Sequence, residues 1–386
     1  MKYQFAEKIK NLKPSAIREI LKNSNNKDSI PFSAGNPAYE TFPVNEIIDI
    51  SNEILLEKSE RILQYSITEG YYPLREYISK KFQVDIDNVI ITSGAQQAIN
   101  LSTRILCNEG DCILCEEPTF VGAINAFKSY GANVCGISIE SDGINIAELE
   151  QKLTSEQNVR FIYTIPNFQN PTGITMSLEK RTELYDIAKR HNVLILEDNP
   201  YGDLRFSGSF LPTVKSFDKD GLVIYVGSLS KVLSPGIRVG YAIAPAEIIQ
   251  KMISCKQCDD VHTNVWAQLL VYRFLQKYSL EEHLRKIRII YKQKSELAMQ
   301  MIDKYLAPKG VKYTHADGGL FTWCTLPQNV DMLEFCKKAL ENNVCVVPGN
   351  TFLIDDSHTS HSFRINFSAP TEQQIILGIK ALAQIL

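Results

Sequence analysis

Residues 222–240 read LVIYVGSLSKVLSPGIRVG. The first five are apolar without a break, the pattern of a strand covered on both faces rather than one half-exposed to water. Small residues follow, Gly227, Ser228 and Ser230, and then a single lysine, Lys231. Desolvating an ammonium at the end of a buried strand is costly unless a neighbour compensates. Lys231 therefore asks for a chemical reason.

The same texture recurs along the chain. Val89–Thr92, Cys112–Cys115, Asn133–Ile137, Arg160–Thr164, Val193–Asp198 and Gly240–Ala244 are short apolar runs, and several are separated by helical patterns such as 177–191. Doubly buried strands alternating with helices predict an α/β fold with a mostly parallel central sheet in a large domain. A long charged helix is expected over about 280–306. Beyond it, Gly319–Trp323, Val344–Val347 and Phe363–Phe367 predict a smaller α+β domain. The expected division is 1–44 as an N-terminal segment, 45–280 as the large domain and 281–386 as the small one.

Composition narrows the function classes. The 386 residues are 44% hydrophobic and 22% charged with a net charge of −3, so no global basic surface exists for nucleic acid or anionic lipid. The first twenty residues interleave charged and apolar positions, unlike a signal peptide, and no apolar run spans a bilayer. The expectation is a cytoplasmic protein. Nine cysteines, an odd number, argue against a disulfide framework. The C-x-x-C pairs Cys112/Cys115 and Cys255/Cys258 lie too far apart for a zinc ribbon, and i, i+3 positions of a strand face opposite ways. They read as buried structural cysteines, and no metal site is assigned.

In an open parallel sheet, ligands bind beyond the carboxyl ends of the strands. After the first strand comes Ser93-Gly94-Ala95-Gln96, opening a helix; exposed amides there bind phosphate, although Ser-Gly also serves as a plain cap. After Arg160–Thr164 a proline-bounded loop presents Asn170, and after Val193–Leu196 come Asp198 and Tyr201. A carboxylate ending a buried strand needs a partner. After 223–226 come Ser228, Ser230 and Lys231, with Arg238 seven residues on. A buried lysine beside cations loses its proton readily and becomes the nucleophile that a Schiff base requires. Taken together, the four strand ends suit one aromatic, phosphorylated aldehyde.

The set Tyr65-x4-Gly70-x3-Leu74-Arg75, Ser93–Gln96, Asn170-Pro171-Thr172-Gly173, Asp198-x-x-Tyr201, Ser228-x-Ser230-Lys231-x6-Arg238 and Phe363–Phe367 resembles the fold-type I aminotransferases that use pyridoxal 5′-phosphate (PLP). The resemblance covers nearly the whole chain. Glu117–Phe120, Gly318–Phe321 and Val347-Pro348-Gly349-x-x-Phe352 fit the kynurenine/α-aminoadipate and related aromatic or branched-chain branch of class I/II.

The resemblance implies roles. Lys231 would carry the cofactor covalently and shuttle the substrate proton, Asp198 would pair with the pyridinium nitrogen, and Tyr201 with Asn170 would bond the ring's phenolic oxygen. Phe120 would stack on the ring, where many relatives have Tyr. Gly94, Ala95, Gln96, Ser228, Ser230 and Arg238 would hold the phosphate. Tyr65 would reach the neighbouring subunit's cofactor in a homodimer. Arg364 would clamp the substrate α-carboxylate, helped by Asn170 and the backbone near Gly35, and the N-terminal segment would act as a lid. The implied reaction moves an amino group from an aromatic, branched-chain or 2-aminoadipate-like L-amino acid to a 2-oxo acid, with 2-oxoglutarate as the default, by a ping-pong mechanism.

Three alternatives compete. A β-elimination (C–S) lyase would use the same Lys, Asp and Arg. A PLP-binding regulatory domain would need a fused DNA-binding module, for which the approximately 30 residues ahead of the match are too few. A nicotinamide-binding protein is disfavoured by the lack of G-x-G-x-x-G after an early strand.

Overall fold

The computed structural model describes residues 3–10, 29–355 and 357–386. Residues 11–28, which carry much of the expected lid, lie outside the described residues. Eight strands form the large sheet: β1 (Val89–Thr92), β2 (Cys112–Glu117), β3 (Asn133–Glu140), β4 (Gly143–Ile144), β5 (Val159–Thr164), β6 (Leu194–Asn199), β7 (Val223–Ser228) and β8 (Gly240–Ile243). Their order is β1-β8-β7-β6-β5-β2-β3-β4. The run β7-β6-β5-β2-β3 is parallel, as expected from the apolar runs.

β8 departs from that direction, lying antiparallel between β7 and β1. The segment Leu229–Val239 that joins it to β7 contains no α-helix, and a parallel return normally needs a helical crossover. Along each central strand, alternate residues enter different cores. Ile113 and Cys115 join the larger cluster and Cys112 and Leu114 the smaller one; Phe161 and Tyr163 are likewise divided from Ile162. The two-residue period thus places a core on each face of the sheet, which is why the sequence shows unbroken apolar runs.

Helix Leu280–Tyr305 is capped by Ser279, whose side chain accepts from Glu282 N, and it packs on the last helix, Glu372–Gln384. Four antiparallel strands, β9 (Lys312–Tyr313), β10 (Phe321–Thr325), β11 (Val347–Pro348) and β12 (Ser362–Asn366), make the second sheet in the order β11-β12-β10-β9. The expected strand over 344–347 forms only from Val347. Val344 bridges Ile30 instead, with Ile30 N donating to Asn343 O at 2.8 Å. The N-terminal segment thus takes pairing that the sequence assigned to the small sheet. Tyr291, on the long helix, accepts from Ala38 N at 3.2 Å and fastens the same segment further on.

Candidate active site

Most of the expected residues stand at a strand end or on the loop leaving it; Arg364 lies in the middle of β12, Gly35 on the N-terminal segment and Tyr65 just beyond helix Val44–Ile62. Helix Ala95–Leu106 begins directly after β1, and its N-cap Gly94 (φ +85°) provides no side chain to bond the first amides. Those donors are left to face an anion. Arg238 folds across them: its Nη2 donates to Ser93 O at 2.9 Å and its Nη1 reaches Ser230 Oγ at 3.5 Å. A Cβ at Gly94 would lie 2.4 Å from Arg238 Nη2, so only glycine permits this approach. Ser228 Oγ accepts from Ser230 N at 3.2 Å, and the Gln96 amide donates to Gly122 O at 2.9 Å. Gln96 therefore offers its backbone rather than its side chain. Phe120 caps the next helix, beside Gly122, where a Cβ would strike its ring.

On β6 the acidic pair divides between faces. Glu197 accepts from Val214 N and Lys215 N at 3.0 and 2.7 Å and anchors that loop. Asp198 faces the other way, is 2% exposed, and accepts from Tyr163 Oη at 2.8 Å through Oδ2. Its Oδ1 is buried without a hydrogen-bond partner among the described residues. Burial pushes the Asp198 carboxyl up to about 7; the Tyr163 bond pulls it back and nearby Glu116 pushes it further up. An oxygen in this state is shaped for a cationic donor.

Lys231, in the turn after β7, is half-buried. Its ammonium is held down at about 8 by desolvation first, then by Arg364 and Arg238. Its Nζ donates to Gly35 O at 2.7 Å. Arg364, on β12 and 2% exposed, donates to Asn170 Oδ1 and Ser33 O, both at 2.7 Å. Its guanidinium lies 4.2 Å from the Phe321 ring centroid and 4.9 Å from that of Phe352, held between two aromatic faces. Tyr201 stands edge-on to Phe321 at 5.8 Å, and burial raises its phenol above the usual range. The Ser33–Asn36 loop is thus gripped by both sheets, from Lys231 on one side and from Arg364, Asn366 and Ser368 on the other.

Tyr163 and Arg181 escaped sequence reading, and Phe321 and Phe352 entered it only as members of family motifs, without their contact to Arg364. Tyr163 was hidden inside the apolar run of β5, although a tyrosine in a doubly buried strand must find a partner for its hydroxyl. Phe321 and Phe352 form the sandwich on Arg364. Arg181, fully buried, donates to Met176 O, Pro212 O, Pro166 O and Asn167 Oδ1 and so fixes the loop that carries Asn170. Tyr65 is apart from this cluster: it is 80% exposed and touches His262 edge-on at 5.9 Å.

These residues fit PLP on their own chemistry. A phosphate matches the uncapped helix start and Arg238, a pyridinium matches the orphaned Asp198 oxygen, and an aldehyde matches the depressed Lys231 amine. Comparison with known proteins agrees. A family model for aminotransferase class I and II matches residues 27–382. An aromatic-amino-acid aminotransferase of Thermococcus litoralis is 38% identical, covering 98% of this chain and 93% of its own. The crystal structure of an α-aminoadipate aminotransferase of Thermus thermophilus, complexed with N-(5′-phosphopyridoxyl)-L-leucine, superposes with a TM-score of 0.93 at 35% identity, covering 99% and 97%. That of a Pyrococcus horikoshii kynurenine aminotransferase gives 0.94 at 36%, covering 99% and 96%.

Proposed function

Because the chain belongs to the class I and II aminotransferases, with PLP as cofactor, we propose that it moves the amino group of an aromatic, branched-chain or 2-aminoadipate-like amino acid to a 2-oxo acid, with 2-oxoglutarate as acceptor. The observation that carries the reading is the meeting of Lys231 and Arg364 on the Ser33–Gly35 loop. It sets a nucleophilic amine beside a carboxylate clamp in one buried site.

When bound, PLP supplies an electron sink for the α-carbon of the amino acid. The protein's residues do the rest. Arg364 takes the α-carboxylate in its two-pronged fork, and its aromatic sandwich and Asn170 keep the fork from turning. Lys231, whose ammonium is held down at about 8, gives and takes the α-proton. Asp198 would hold its negative charge against the ring nitrogen. Asn170 and Tyr201 would supply hydrogen bonds to the ring oxygen, Phe120 would stack on the ring, and the Gly94–Gln96 amides, Ser228, Ser230 and Arg238 would hold the phosphate. The apolar surroundings of Arg364, led by Phe321 and Phe352, favour a bulky side chain over that of aspartate.

We propose the division into 1–44, 45–280 and 281–386; one sheet on each side of residue 280 supports that reading. We also read the protein as a homodimer. Leu56, Leu63 and Tyr65 are 86%, 80% and 80% exposed, and large exposed apolar side chains of this kind suit burial against a second copy, with Tyr65 reaching the partner's phosphate. Among the described residues no helix is long and apolar enough to cross a membrane.

A spectroscopic screen tests the substrate class. Each amino acid is added to the yellow holoenzyme without acceptor, and discharge of the cofactor band is followed. Phenylalanine, leucine or 2-aminoadipate should discharge it well ahead of aspartate; the opposite order sinks the assignment. Release of pyruvate and ammonia from a cysteine conjugate without acceptor would instead favour the lyase, which the aminotransferase relatives do not support.

A further inference from the structure

The C-x-x-C pair Cys112/Cys115 is divided by its own strand, one thiol in each core. The neighbour of Cys112 is on the next strand. Its Sγ lies 3.6 Å from Cys135 Sγ, and with the Glu156 carboxylate the three ligand atoms all fall within 4.8 Å of one another. Each corner is fixed by backbone. The parallel register pairs Cys112 with Asn133 and Leu114 with Cys135. Glu156 caps helix Ile146–Ser155 with its N–H on Lys152 O, and Asn158 O accepts from Cys112 N at 3.1 Å.

Two thiolates at about 2.3 Å from a tetrahedral ion stand about 3.8 Å apart. The observed 3.6 Å is close to that separation. A disulfide fits less well. The two cysteines are offset by two residues on adjacent strands, about 6.6 Å along and 4.8 Å across, which places their Cα atoms beyond the reach of an unstrained bridge. Charge also favours a cation. Two thiolates and a carboxylate carry three negative charges, a divalent ion leaves one, and Lys152 Nζ stands 3.6 Å from Glu156 Oε1 to face it.

We propose that Cys112, Cys135 and Glu156 form a binding site for a thiophilic divalent cation of the zinc class. The site ties strands β2 and β3 to the helix that crosses behind them. Cys112 opens β2, whereas the cofactor site lies at the opposite ends of the strands, about 17 Å away along a six-residue strand. Its role is structural, separate from transamination. Cysteine binds such an ion as the thiolate, so the ion must displace the thiol protons and binding releases acid.

The test titrates Cd²⁺ into the full-length, PLP-loaded protein kept free of oxygen, following the thiolate-to-cadmium absorbance and proton release. One equivalent should saturate the band, and Zn²⁺ should displace it. Cys112→Ser and Cys135→Ser should each abolish the band, and Glu156→Gln should weaken binding by about 10-fold or more. Cys258→Ser, at an exposed cysteine, should leave it intact. Cys135 and Glu156 are only partly buried, so their variants decide the matter even where Cys112→Ser fails to load cofactor. A band that survives Cys135→Ser, or unchanged affinity in Glu156→Gln, overturns the site.

Discussion

Tyr163 donates to one oxygen of Asp198 and leaves the other buried without a partner among the described residues. The hydroxyl thereby orients the carboxylate and favours its charged form. Burial nonetheless holds the carboxyl at about 7, so in the apoprotein Asp198 is charged above that pH and neutral below it. PLP affinity should therefore weaken as pH falls through about 7. In Tyr163→Phe the lost bond raises the carboxyl further, so the weakening should begin at higher pH. At neutral pH the loss should reach about 10- to 150-fold, the worth of one hydrogen bond to a charged group. Superimposable affinity–pH curves for the two proteins would exclude this role.

Lys231 gives the opposite sign. Its ammonium is depressed from 10.5 to about 8, so the amine is charged below that pH and nucleophilic above it. Stopped-flow capture of PLP by the apoprotein should accelerate with pH, with a midpoint near 8. Arg364→Gln removes one of the cations that hold the pKa down, so the midpoint should move up. A midpoint that stays in place assigns the depression to burial and Arg238 rather than to Arg364. Lys231→Ala should still bind PLP without a covalent link and show no turnover; retained turnover removes Lys231 from its role.

Gly94 and Gly110 form a matched pair. Both have φ near +85°, but a Cβ at Gly94 meets Arg238 whereas one at Gly110 meets nothing within 4 Å. Each alanine carries the strain of a positive φ, about 1–3 kcal/mol, and Gly94, with ψ 168°, lies in a region that is essentially glycine's alone. Only Gly94→Ala should also displace Arg238 and lower PLP affinity by about 10-fold or more, the loss of one charged hydrogen bond. Equilibrium dialysis of both variants separates the two effects, and equal affinities would leave Arg238 without a part in phosphate binding.

What the sequence revealed follows from what is local. Lys231, Asp198, Asn170 and Gly94 each end a strand or lie on the loop leaving one, so neighbouring residues announce them. Tyr163, Phe352 and Arg181 act through contacts between elements, and those depend on register and crossing that no linear spacing prints. The antiparallel β8 belongs to the same class, since its apolar run reads like the others. The cysteines show it most clearly: C-x-x-C spacing joined Cys112 to Cys115, while folding set Cys112 beside Cys135.

Arg181 is the strongest stability test because its charge is spent entirely inside the protein. It is fully buried, its guanidinium is pushed down to about 10 by desolvation, and its donors bond three backbone carbonyls and Asn167. Arg181→Met fills similar volume but leaves those acceptors unsatisfied, at about 1–3 kcal/mol each before relaxation. The apoprotein should lose about 3 kcal/mol or more, read as a lower urea midpoint. Arg190, nine residues along the same helix, pairs with Glu150 at the surface, where such a bridge contributes about 0–1 kcal/mol. Arg190→Met should move the midpoint little. The loop held by Arg181 carries Asn170, which bonds Arg364, so the surviving folded fraction of Arg181→Met should also show a raised KM for the amino acid. A midpoint shift no larger than that of Arg190→Met would mean that the carbonyls find other donors and that the loop stands without its arginine.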